Sequence, residues 1–290
     1  MATNLGITLS DGSDLDVVVV DNWSSDTERA LIREHASDRG WTLIAMDANV
    51  GFGAGVNAGA AVAIERGATD ILILNPDAHI DAQSISRLAA AVEEDRLTIA
   101  SPVVKDVSGR VWFGGLDLYL ADGTIRAPRR RSEHPGAEHV EWLSGACLWV
   151  TKEAWEVVGG FDDAYFLYWE DVDFSRRAAA HGVRLAVVAD AVAVHDEGGT
   201  QREAGRRPEA KSEAYYYYNI RNRMLFAARH LDAEGVRRWM GSSSVRNAWE
   251  ILLRGGRRQF LRPVAPVRAA WKGVRDGRRI ARAALSQTER

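Results

Sequence analysis

The sequence predicts an open, mostly parallel α/β sheet. Two observations carry that reading: short apolar, often β-branched runs alternate with helix-length segments, and the early runs stop at Asp, Asn or Gly-rich turns. The first run, Val17 to Val20, is continuously apolar, as a strand buried on both faces requires, and it ends at Asp21-Asn22. Asp26 reads as the N-cap of a helix through about His35. A second strand, Thr42 to Met46, enters the glycine segment Asn49-Val-Gly-Phe-Gly-Ala-Gly, and an alanine-rich helix follows over Val56 to Arg66. Ile71 to Leu74 is a third strand, stopped by Asn75-Pro76-Asp77, and a helix over Ala82 to Glu94 leads to a strand over Thr98 to Val104.

From Val111 to Val150 the pattern breaks into short Gly-rich and aromatic pieces. Helices are expected over Lys152 to Val158, Asp171 to His181 and Lys211 to His230, with one or two short strands over Val183 to Val194. No internal repeat is visible. The division expected is a catalytic body over 1–230 and a basic helical tail over 231–290.

Composition narrows the class. The apolar and charged fractions, 46% and 27%, are those of a globular protein. The single Cys147 excludes an internal disulfide framework and a CxxC metal site, and suits a reducing compartment. The first residues, MATNLGITLSDGSD, lack a basic and an apolar region, so no signal peptide is predicted, and no apolar run reaches the length of a membrane span. The net charge of −3 hides a split. From Arg221 onward 17 basic residues stand against 5 acidic ones, +12, while the remainder, with 20 basic and 35 acidic, carries −15.

Three groups of residues suggest chemistry, because ligand sites in such sheets gather at the carboxyl ends of strands. Asp77, on a proline-shaped turn after a strand, suits a hard divalent cation bridging two phosphates; the alternative is a turn acid that caps the next helix. Glu170-Asp171 lies in the aromatic run Phe166-Leu-Tyr-Trp-Glu-Asp-Val-Asp-Phe. There burial raises a carboxyl toward general-base duty, against the alternative of acids favoured in a helix's first turn. His195 closes a strand-like run, as a metal or diphosphate ligand or as a structural histidine. Gly53-x-Gly55-x-x-Ala58 with Asp77 further on also imitates a dinucleotide-binding fingerprint, which makes an NAD-dependent oxidoreductase one alternative. That fingerprint belongs at the first strand of its unit, and Val17 to Asp21 precedes it. In the tail, Val267, Trp271 and Val274 form an apolar stripe among Arg268, Lys272, Arg275, Arg278 and Arg279. This is the pattern of a helix lying in an anionic membrane interface.

In this order and spacing the segments VVVVDNWSS (17–25), NVGFGAGVNAG (49–59), LNPDA (74–78), 144–146, VGGFDDAYFLYWEDVDFSR (158–176) and YNIRNR (218–223) resemble family 2 glycosyltransferases. These are inverting enzymes of GT-A fold, and the nearer resemblance is to their rhamnosyltransferase-like branch, which builds bacterial cell-surface polysaccharides. The resemblance covers about residues 15 to 230. It implies that Asp21 and Asn22 lie at the nucleobase or ribose, and that Asn49, Gly51 and Asn57 lie near the donor. Asp77 then stands at the last acid of the DXD motif as a ligand of Mg²⁺ or Mn²⁺, with Asn75 replacing the first acid. Asp171, beside Glu170, becomes the base, and His195 completes the metal or diphosphate site.

It further implies a dTDP- or UDP-sugar donor and a lipid-linked or glycan acceptor. The chain would work in the cytoplasm, peripherally at the inner face of the plasma membrane, with the basic tail on anionic lipid and no nucleic acid partner. A non-catalytic membrane scaffold on the same fold is the other alternative. Members of this branch have another strand and helix ahead of the VVVVDN-type segment. Here about 14 residues precede it, so a sheet lacking that first unit, with an unpaired interior edge, is expected.

Overall fold

The computed structural model describes residues 15–195, 212–254 and 264–288, and the expectation of a missing first unit bears on residues outside that range. The chain divides into two compact units: Met1–Gly115 with Glu141–Phe166 and Glu170–Glu197, and Leu116–Val140 with Leu167–Trp169 and Gly198–Arg290.

In the first unit, β1 (Val18–Asp21) pairs in parallel with β2 (Thr42–Ala45), and α1 (Asp26–Asp38) connects them. The cap of α1 is Ser25, one residue before the Asp26 expected from sequence. Ser25 and Glu28 form a reciprocal capping box, which satisfies two helix-end N–H groups where Asp26 alone serves one. Helix α2 (Phe52–Glu65) starts directly after Gly51, four residues earlier than the predicted Val56.

A six-stranded sheet follows. Its strands are β3 (Asp70–Leu74), β4 (Ala78–Ile80), β5 (Thr98–Lys105), β6 (Val111–Phe113), β10 (Cys147–Thr151) and β11 (Arg184–His195), ordered β3-β10-β5-β11-β4 with β6 on β5. Strands β5 and β11 run parallel, and β10 lies antiparallel between β3 and β5, so β3, β5 and β11 share one direction. Every residue of β10 is buried, as expected for a strand covered on both faces. The segment after residue 183 is one strand, interrupted by an irregularity between Val188 and Val192. Helix α3 (Ala82–Ala90) lays Ile85 and Leu88 on Trp149, Ala100 and Ala191. Helix α4 (Lys152–Val158) is capped by Thr151 and stops at Gly159 in a left-handed conformation, and α5 (Glu170–Ala180) follows.

In the second unit β7 (Leu116–Tyr119) and β8 (Thr124–Arg126) form a hairpin, and β9 (His139–Trp142) starts on the other side of β7. The helices are α6 (Glu213–His230), α7 (Ala233–Met240), α8 (Ser242–Leu253) and α9 (Val264–Thr288). Helices α6 and α9 approach closely because α9 offers Gly273 and Gly277. A Cβ on Gly273 would stand 2.8 Å from the Tyr217 carbonyl oxygen, and one on Gly277 3.1 Å from Met224 Cβ. Trp239 is fully buried and donates to the Leu120 carbonyl, while the buried Arg223 guanidinium lies 4.3 Å over its ring and donates to Asp122 O. Asn222 donates to the carbonyls of Leu167 and Tyr168. Among the described residues no helix is long and apolar enough to cross a membrane.

Candidate active site

The strand ends of the first unit carry the residues that the sequence singles out. Asp21 is buried, and both its oxygens are engaged: Oδ1 accepts from Ser24 N at 2.8 Å and Oδ2 from Arg29 Nε at 2.6 Å. Burial alone would raise its pKa, but the Ser24 and Arg29 bonds outweigh that and hold the carboxyl below its ordinary value.

Asn22 ties the end of β1 to the glycine segment, donating to Gly51 O and accepting from Val50 N. Asn49 accepts from Gly51 N at 3.0 Å. Gly51 has φ +90°, and a Cβ there would lie 2.3 Å from the Phe166 carbonyl oxygen, so only glycine fits. That same carbonyl accepts from Phe52 N, at the start of α2. Gly53 packs on Phe161, Gly55 on Asn22 and Gly59 on Val20. The glycines therefore serve close packing, and the helix start that a dinucleotide phosphate would need already holds a backbone carbonyl. The oxidoreductase alternative is not favoured.

Asn57 clamps the chain ahead of α5. It donates to Phe161 O and Asp163 Oδ1 and accepts from Phe161 N.

The second cluster stands at the end of β3. Asn75 N donates to Ala146 O, and Ala78 N to Asn75 O, which shapes the Asn75-Pro76-Asp77 turn. The acid that caps α3 is Asp81, so Asp77 is not used as a cap. The antiparallel β11–β4 register sets His195 opposite Ala78, next to Asp77. His195 Nε2 then lies 3.0 Å from Asp77 Oδ1. That separation is the spacing of two adjacent ligands on one octahedral ion at about 2.1 Å. Two further polar atoms, His195 Nδ1 and Asn75 Oδ1, are buried without a hydrogen-bond partner. A carboxylate, an imidazole and an amide oxygen fit a divalent cation of the Mg²⁺ or Mn²⁺ type. Trp112, which the sequence reading passed over, sets its ring 4.8 Å from that of His195 and stays 39% exposed.

Close by stands the acid pair. Asp171 Oδ2 accepts from Gly145 N at 3.1 Å, and Oδ1 from Val172 N at 2.9 Å. The next residue after Gly145, Ala146, is the one bonded to Asn75, so one short loop links Asp171 to the Asn75-Pro76-Asp77 turn. Glu170 is buried and its Oε2 has no partner. Burial pushes both carboxyls well above the carboxylate range; the charge of Asp171 raises Glu170 further, whereas the Gly145 and Val172 amides partly hold Asp171 down. Asp173, the third acid of the run, is spent on Arg177 and Tyr165. Phe166, Tyr168 and Trp169 all have φ between +59° and +75°, a concentration of backbone strain directly before the acid pair. No periodicity announces such strain. The Gly145 amide is equally silent, because its role lies in the backbone.

The model of the family described as Glycosyl transferase family 2 matches residues 5–143. The N-acetylglucosaminyl-diphospho-decaprenol L-rhamnosyltransferase of Mycobacterium tuberculosis is 29% identical over 235 residues, covering 72% of this chain and 75% of that protein. The dTDP-rhamnosyl transferase RfbF of Shigella flexneri is 25% identical over 210 residues, covering 72% and 69%. A solved structure of GalNAc-T7 with UDP, GalNAc and Mn²⁺ shares the fold at 12% identity and a TM-score of 0.50, over 84% of this chain. This chain spans about half of that one, 51%. The family-model match and the rhamnosyltransferase relatives support a glycosyltransferase of GT-A-type fold, similar to glycosyl transferase family 2.

Proposed function

We propose that this chain transfers a deoxyhexose such as rhamnose from a dTDP-sugar, with a UDP-sugar as the next candidate, to a hydroxyl of a lipid-linked glycan, with inversion. The observation that supports it most is the placement of Asp171: two backbone amides hold its carboxylate, burial raises its basicity, and the Gly145-Ala146 loop sets it beside the Asp77 turn. Asp171 takes the proton of the acceptor hydroxyl as that oxygen attacks the anomeric carbon. The bond from that carbon to the diphosphate oxygen breaks, and its electron pair leaves with the nucleoside diphosphate. One displacement inverts the centre, so no carboxylate nucleophile is needed. Asp77 and His195 would hold Mg²⁺ or Mn²⁺, which neutralises charge on the departing diphosphate. Asp21, Asn22, Asn49, Gly51 and Asn57 shape the donor side, chiefly by fixing the backbone that faces it.

The two rhamnosyltransferase relatives support the donor class, and the decaprenyl-diphosphate acceptor in one relative's name supports a lipid acceptor. The basic tail then serves to hold the enzyme on anionic lipid at the cytoplasmic face of the membrane. Val264, Val267 and Trp271 of α9 are exposed and fit that role, whereas Val274 of the predicted stripe is half-buried against the α6 cluster.

Thermal-shift titration with dTDP, UDP, GDP and NAD, with and without Mn²⁺, tests the donor reading. The expected result is Mn²⁺-dependent stabilisation by dTDP, or failing that UDP. Stabilisation by NAD alone would overturn it.

A further inference from the structure

An open groove of about 480 Å³ runs between the start of α6 and the first half of α9. Arg268, Lys272 and Arg275, one helical turn apart in succession, line it with Trp271 and Tyr217. Two carboxylates partly offset these cations, and Lys272 pairs with neither. Glu213 lies 3.6 Å from Arg268, and Asp276 is shared by Arg275 at 3.0 Å and Arg279 at 3.8 Å. The Lys272 ammonium lies 5.1 Å over the Tyr217 ring, and the Arg275 guanidinium 5.5 Å over Trp271. The aromatic faces thus steady Lys272 and Arg275 at the groove, and Lys272 keeps its charge free of a carboxylate partner among the described residues.

The rim is apolar. Val264, Val267 and Trp271 are 77%, 45% and 63% exposed, at i, i+3 and i+7 on α9. Helix α8 carries a second exposed row, Val245, Trp249 and Leu253, at i, i+4 and i+8. Exposed aliphatic and indole groups on the helix that lines a cationic groove suit an interface where hydrocarbon and phosphate meet, and a soluble anion would leave them in water.

We propose that the α6–α9 groove takes the phosphate of an anionic phospholipid headgroup, while Trp271 and Val267 enter the interface beside it. This rests on the membrane reading of the tail and adds to it a defined headgroup subsite.

The test is sedimentation of the full chain with vesicles of phosphatidylcholine alone and of phosphatidylcholine with 30 mol% phosphatidylglycerol (about 30, a conventional anionic content). Only the mixed vesicles are expected to bind. Replacing Arg268→Ala and Lys272→Ala together should weaken partitioning about thirtyfold, since each lipid-facing cation contributes roughly fivefold. Arg279→Ala with Arg282→Ala removes the same charge from exposed positions on α9 outside the groove, and should cost under about threefold. Trp271→Ala, with the groove charges intact, should weaken partitioning about tenfold through lost apolar burial. Unchanged melting temperatures confirm that each variant is folded. Equal losses from the two charge pairs would overturn the subsite and leave the membrane reading standing. Failure to bind either vesicle would overturn both.

Discussion

Asp21 and the Glu170-Asp171 pair are acids at the edge of the same unit, and their surroundings push them in opposite directions. Asp21 at the end of β1 has an arginine on one oxygen and a backbone amide on the other, so its charge is fully compensated and its pKa falls. Glu170 is also removed from water and Asp171 is partly so, but no described cation pairs with either, and Asp171 has only amide N–H groups. Their pKa values rise. Burial is common to both sites; the Ser24 bonds together with the Arg29 counter-charge decide that Asp21 is a fixed strut, and their absence leaves a buried acid with a raised pKa.

The most severe way to break that contrast is Asp171→Asn. Transfer should drop about a thousandfold while donor binding changes less than twofold, because a base acts on the acceptor side. Near-normal turnover in a transfer assay would remove Asp171 from the mechanism. Next in size, Arg29→Ala should make Asp21 resemble the poised pair. Loss of a partly buried partner from a buried carboxylate should cost about 2 kcal/mol, read by urea unfolding at pH 7. The native pKa of Asp21 is depressed, so the stability it lends is present above its unfolded value and is lost as pH falls through the folded value. In the Arg29→Ala protein that acid-side loss should shrink, while the Ser24 bonds keep the remainder.

A pH–rate profile sharpens the other half. The proposed base, Asp171, acts only when ionised and its folded pKa is raised, so activity should fall about tenfold per pH unit on the acid side. The inflection should lie above the ordinary carboxylate range. A limb near pH 4 would show that burial does not set it.

The smallest effect belongs to Glu170→Gln. A raised native pKa means that the folded state holds a proton that the unfolded chain has lost. Stability therefore declines as pH rises from the unfolded value through the folded one. The variant removes that decline, so its melting temperature should exceed the parent's by a few degrees at pH 8 and match it at pH 4.5. An equal gain at both pH values would point to packing instead.

Much of this was legible before any coordinates. Alternation of strands and helices set the α/β class, and Val17 to Val20, Ile71 to Leu74 and Lys152 to Val158 fell within a residue of their observed ends. Local chemistry explains that success, since buried strands need unbroken apolar runs and caps need particular side chains. Where two local devices competed, the stronger won: the Ser25-Glu28 box displaced Asp26 as the cap. Asp171 and Asp77 were legible as an acid in an aromatic run and an acid on a proline turn.

Sequence alone thus determined the fold class, the order of its elements and the residues worth suspecting, because periodicity and residue type are local properties. Only the tertiary structure decided their partners. The β11–β4 register, not any motif, carries His195 across more than a hundred residues to Asp77. Arg29 rather than open solvent meets Asp21. The glycines after Asn49 prove to be spaces for Phe161, Phe166 and Val20. Val274 of the predicted tail stripe turns inward because Gly273 and Gly277 draw α9 onto α6, leaving Val267 and Trp271 outside. Each of these depends on which surfaces meet, and long-range packing and strand register fix that where local pattern cannot.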